Sequence, residues 1–119
     1  MRSGMTLALV ATSLTLSGAT YVHLTLVDSR PKEASVIAES PSEIWLRFNQ
    51  QLDVSKSSIA VRGPGGAIEL DKPLAPDSLA LSAKLLESLA PGDYTVSWLA
   101  TPYEDHAVRG RYKFTVEGH

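Results

Sequence analysis

Two stretches of this 119-residue chain carry side chains that could hold a metal ion. Glu104-Asp105-His106 sets two carboxylates directly before an imidazole, and His23 supplies a second imidazole near the N-terminus. Imidazole nitrogen with carboxylate oxygen suits Cu(II) or Zn(II). In extended backbone, residues two apart face one side. Glu104 and His106 would then converge, and Asp105 would face away unless the loop is irregular. Taken alone, a Glu-Asp-His in a surface loop is most often solvated decoration. His23 strengthens the case, because a first strand commonly runs beside a last one. The expectation is that His23, Glu104 and His106 meet at one end of a small β-domain and bind a metal ion. His119, the remaining histidine of three, is the last residue and is assigned no role.

Other chemistries have less support. The chain has no cysteine, which excludes disulfides, thiolate zinc sites and cysteine nucleophiles. Serines are frequent, but no Gly-x-Ser-x-Gly elbow occurs. Gly63-Pro64-Gly65-Gly66 precedes no helix, so it is not a phosphate loop. A glycosidase carboxylate pair would lack room for a sugar cleft in so small a domain. The formal net charge is -2 and basic residues are scattered, which argues against nucleic-acid binding.

The N-terminus reads as a secretory signal. Met1-Arg2 gives a positive start, Thr6 to Leu16 is uncharged and apolar, and Ser17-Gly18-Ala19 offers small residues for cleavage. The apolar run is well short of the ~18 residues of a membrane span. The expected division is a leader over 1–19, with cleavage extending as far as residue 22, and one domain over 20–119. Met1 and Met5 are the only methionines, so the mature chain would have none.

The elements that must position these residues read as strands. Tyr21 to Val27 is β-rich, and Asp28-Ser29-Arg30-Pro31 is expected to break it. Ala34 to Ala38 is a short second strand. Glu43 to Phe48 alternates, with Ile44, Leu46 and Phe48 on one face and Trp45 and Arg47 on the other. Ser58 to Arg62 and Ala67 to Leu70 flank the glycine-rich turn as a hairpin. Ser78 to Leu81 forms another strand, and Ala83 to Leu89 reads as strand end plus loop despite local helical character. Asp93 to Leu99 directs Tyr94, Val96 and Trp98 inward. Arg111 to Val116 directs Tyr112, Phe114 and Val116 inward. About seven short strands with regular turns predict an all-β, immunoglobulin-like antiparallel β-sandwich of Greek-key type.

With these residues in view, the chain resembles the CopC family of periplasmic copper-binding proteins. The parts arrive in order: His23-x-x-Leu26-x-x-Ser29-x-Pro31, Pro41-x-x-Ile44-x-Leu46-x-Phe48, Gly63-Pro64-Gly65-Gly66, Leu89-x-Pro91-Gly92-x-Tyr94-x-Val96-x-Trp98 and Glu104-x-His106-x-x-x-Gly110-x-Tyr112-x-Phe114-x-Val116. The resemblance implies Cu(II) held by the N-terminal histidine, through amine and ring, together with an Asp and a His before the last strand. By position these are His23, Glu104 and His106. It further implies a binding protein rather than an enzyme, acting as a monomer in the periplasm, with copper and an inner-membrane copper-transport protein as partners.

The sequence departs from the family pattern in three respects. Glu104 stands for the usual Asp and Asp105 for a glycine, while Gln50 replaces a carboxylate that often follows the Phe48 strand. Cleavage after Ala19 would leave His23 a ring nitrogen but no terminal amine. Cleavage after Val22 would restore the amine, and cleavage after Thr20 would make His23 the third residue, where amine, amides and ring could wrap Cu(II). The methionine-rich Cu(I) loop of some members has no counterpart here, since soft Cu(I) prefers sulfur. Two other readings stay open: the same sandwich with a degenerate metal site serving as an interaction module, and a copper enzyme of the histidine-brace type.

Overall fold

The computed structural model describes residues 23–118. The expected leader, Tyr21 and Val22 of the expected first strand, and His119 lie outside the described residues. Eight strands form: β1 (Leu26–Arg30), β2 (Val36–Ile37), β3 (Glu43–Phe48), β4 (Ser58–Gly63), β5 (Gly66–Ile68), β6 (Ala80–Lys84), β7 (Gly92–Ala100) and β8 (Val108–Val116), with one 3-10 turn at Val54–Lys56. They make a three-stranded sheet, β1-β3-β6, and a five-stranded sheet, β2-β8-β7-β4-β5. All pairings are antiparallel except that of β2 with β8, which is parallel. This is the expected all-β sandwich, and each of its eight strands overlaps one of the segments expected from the sequence.

Alternation decides the faces. In β3, Ile44, Leu46 and Phe48 are fully buried while Trp45 and Arg47 are half-covered. β7 buries Tyr94, Val96, Trp98 and Ala100, and β8 buries Tyr112, Phe114 and Val116. These inner faces meet as one core. Each of its large fully buried side chains contributes about 1.5–3 kcal/mol relative to exposure. Two bulky rings cover inward glycines. Trp98 pairs with Gly110, and a Cβ on Gly110 would stand 2.5 Å from the indole Cε2. Tyr94 lies over Gly63 in the same way and donates its hydroxyl to the Ala90 carbonyl, 2.5 Å away. That bond to backbone just upstream is the feature known in sandwiches as a tyrosine corner.

Several boundaries differ from expectation. Asp28-Ser29-Arg30 does not break β1 but is most of it, since Asp28 pairs with Arg47, Ser29 with Leu46 and Arg30 with Trp45. The strand stops at Pro31, which has no N–H to donate. Arg30 also stacks its guanidinium 4.2 Å from the Trp45 ring centre. β8 begins at Val108, three residues before the expected Arg111, because the Trp98 indole fills the space above Gly110. The return strand of the hairpin is only Gly66–Ile68, and Leu70 instead bridges Leu85.

Candidate metal centre

The ends of the strands determine which loops share a neighbourhood. β1 begins at Leu26 opposite Phe48, the last residue of β3. Residues just before β1 therefore lie beside those just after β3. β7 ends at Ala100 opposite Val108, the first residue of β8. The strap from Gln50 to Ser57 crosses between the two sheets at this same end. Leu52 bridges Pro102, and the Asp53 N–H donates to the Thr101 carbonyl at 2.8 Å. Thr101 Oγ1 donates to the Lys56 carbonyl at 2.6 Å, and its N–H donates to Ser57 Oγ at 3.1 Å. The segment carrying His23 and the loop carrying Glu104 and His106 thus occupy one end of the sandwich. Beneath them lies an apolar floor of Leu24, Phe48, Trp98 and Ala100, with the Phe48 and Trp98 rings edge to face at 4.9 Å.

His23, Glu104 and His106 are all exposed. The loop between β7 and β8 is not extended, because Tyr103 and Glu104 form a turn and Asp105 a bend. The i, i+2 rule for Glu104 and His106 therefore does not apply, nor does the inference that Asp105 faces away. The reason is local: Pro102 is tied to Leu52, and Asp105 Oδ1 accepts the His106 N–H at 2.7 Å, which turns the backbone. Among the described residues, no three His, Asp or Glu side chains already converge as a metal-holding group. The donor types nonetheless suit a borderline or hard divalent ion: two imidazoles and carboxylates, with no thiolate in the chain.

Asn49, a loop residue by its sequence context, holds the arrangement together. The Asn49 side chain accepts the Thr25 N–H on Oδ1 and donates from Nδ2 to the His23 carbonyl, each at 2.9 Å. Its own N–H donates to the Thr25 carbonyl at 3.2 Å. Asn49 therefore clamps residues 23–25 to the end of β3. The available signal was an Asn directly after a strong strand, a residue type that readily bonds neighbouring backbone.

The chain matches the CopC domain over residues 26–117 and belongs to that family. It is similar to Protein YobA of Escherichia coli K12, with 28% identity covering 93% of this chain and 91% of that protein. Among solved structures it is similar to PcoC, a methionine-rich copper resistance protein from Escherichia coli. That match has a TM-score of 0.74 and 27% identity, over 81% of this chain and 100% of PcoC. It is likewise similar to CopC from Methylosinus trichosporium OB3b, with a TM-score of 0.73 and 31% identity over 82% and 96% of the two chains.

Proposed function

We propose that this chain is an exported, monomeric protein that binds Cu(II) through His23, Glu104 and His106 and sequesters or delivers it. Its role is copper resistance or homeostasis, without catalysis, and an inner-membrane copper transporter would take its cargo. Membership of the CopC family supports the copper link. The observation that carries the reading is that Asn49 on one side, and the Leu52–Pro102 bridge on the other, tie both imidazole-bearing segments to one end of the sandwich. The ligands are exposed on an irregular loop, so the ion itself would draw Glu104 and His106 together with His23. No methionine-rich Cu(I) site is expected beside it, since both methionines precede residue 6.

The test is titration of the exported protein with Cu(II), repeated on His106→Ala and Glu104→Ala. Replacing a residue that only orients a metal ligand typically costs about 10–100-fold in metal affinity, so loss of the ligand His106 should cost about 100-fold or more. Unchanged binding in His106→Ala would remove the site. The absence of a converged donor triad among the described residues favours one alternative, a degenerate site on an interaction module. That alternative predicts negligible Cu(II) binding by the wild type. Mass spectrometry of the exported protein identifies the first residue, and with it whether an amine joins the His23 ring.

A further inference from the structure

The outward side of the five-stranded sheet is basic, although the chain as a whole carries -2. Arg109, Arg111 and Lys113 alternate along β8 on the exposed face, and Arg62 joins them from β4. The registers align them in rows. Arg62 faces Thr95, which faces Lys113, and Ala60 faces Ser97, which faces Arg111. From strand spacing and rise, the four cations span roughly 13 by 10 Å. The ion pairs among the described residues, Lys32–Asp28 and Arg47–Asp77, involve none of them. Two shallow depressions share Thr95 and Arg111; one reaches Lys113, the other Arg62. The acidic groups on and around this face are Glu33, which lines the first depression, Asp93, which lines the second and whose carboxylate accepts the Thr115 hydroxyl at 2.8 Å, and exposed Glu69, two residues after Ala67, the partner of Arg62. Glu117 follows β8 at the same end as Asp93. The positive charge is therefore concentrated towards Arg109 and Arg111.

We infer that this face docks the protein on an anionic phospholipid surface. Guanidinium forks bind phosphate in two-point fashion, and Arg109 and Arg111, towards the end of β8 away from Asp93 and Glu117, present two such forks to headgroup phosphates. An acidic protein partner fits less well. Protein interfaces are centred on buried aromatic or apolar anchors, whereas the middle of this face is Ala60, Thr95 and Ser97. A flat surface of cations and small side chains matches a diffuse layer of like charges. None of these residues is a proposed copper ligand, so the inference does not depend on the copper reading.

The test is co-sedimentation with vesicles of phosphatidylcholine alone, or of phosphatidylcholine containing phosphatidylglycerol. Wild type and variants are prepared identically, so any contribution of the N-terminus is common to all. Each cation near an anionic surface is worth about fivefold in partitioning. Arg111→Ser/Lys113→Ser should therefore bind anionic vesicles roughly 25-fold less than wild type. Arg62→Ser, on a different strand, should bind about fivefold less, and Lys84→Ser on the other sheet should match wild type. Binding of the wild type should also weaken from low salt to ~0.15 M. Equal binding to both vesicle types, or a double variant that binds like wild type, overturns the inference. Salt-sensitive binding to polyglutamate in place of vesicles also overturns it, and would make the face a site for acidic protein.

Discussion

Replacing Asn49 with Ala separates the position of His23 from its chemistry. The substitution deletes two 2.9 Å hydrogen bonds to residues 23 and 25 and leaves the 3.2 Å backbone bond from residue 49 to Thr25. Each lost bond is worth about 0.5–1.5 kcal/mol net, so the clamp contributes about 2 kcal/mol. Burial of Leu24 adds about 2 kcal/mol, and the remaining backbone bond about 1. Against these stands the cost of ordering three residues, about 3–6 kcal/mol. The segment is therefore close to balance, and loss of the clamp releases it for much of the time. The Thr25 amide should exchange about 5–30-fold faster, and Cu(II) affinity should fall by a similar factor because fewer molecules hold His23 in place. The core should be little affected, since Asn49 is exposed and outside it. Native-state hydrogen exchange and Cu(II) titration read the two effects separately. Exchange at Thr25 that does not accelerate would refute the clamp. Faster exchange with undiminished affinity would refute the role of His23.

Three further outcomes test the sandwich itself. Gly110→Ala sets a methyl against the Trp98 indole, 2.8 Å from Cη2, and should cost about 1–3 kcal/mol in denaturant unfolding; a neutral result would mean the ring is free to withdraw. Tyr94→Phe removes the bond to Ala90 and should cost about 1 kcal/mol, with an unchanged midpoint counting against that bond. Tyr112 carries a buried hydroxyl with no hydrogen-bond partner among the described residues, while the nearby Ser29 hydroxyl donates to Pro31. Tyr112→Phe should therefore be neutral, or stabilising by about 1 kcal/mol. Burial pushes this phenol from 10.0 to about 12, and the negative charge of Glu33 adds to the shift. The unfolded chain ionises first, so wild-type stability should fall as pH rises through that window, by up to about 2 kcal/mol. Tyr112→Phe should lose less, and an equal alkaline loss in both proteins would assign the effect elsewhere.

Strands that bury one face were legible in the sequence because alternation records that burial directly. β3 runs from Glu43 to Phe48 as expected, and Tyr94, Val96 and Trp98 face the core. β6 was harder to delimit. It is buried on both sides, because a loop lies across it and Leu74 bridges Ser82. That cover comes from residues distant in sequence, so no local pattern announces it. Polar Asp28-Ser29-Arg30 reads as a break, yet it forms an edge strand whose partners lie across the sheet in β3. Within the candidate site, residue types were readable and geometry was not. The turn at Tyr103–Glu104 depends on the link between Pro102 and Leu52, and the hold on His23 depends on Asn49, 26 residues away.

The proposed centre holds one Cu(II) ion by both imidazoles together with Glu104. Electron paramagnetic resonance of the one-to-one Cu(II) complex, with histidine labelled by nitrogen-15, tests it most directly. Hyperfine coupling to two histidine ring nitrogens is expected, reduced to one in either His23→Ala or His106→Ala. A spectrum that either substitution leaves unchanged would contradict it.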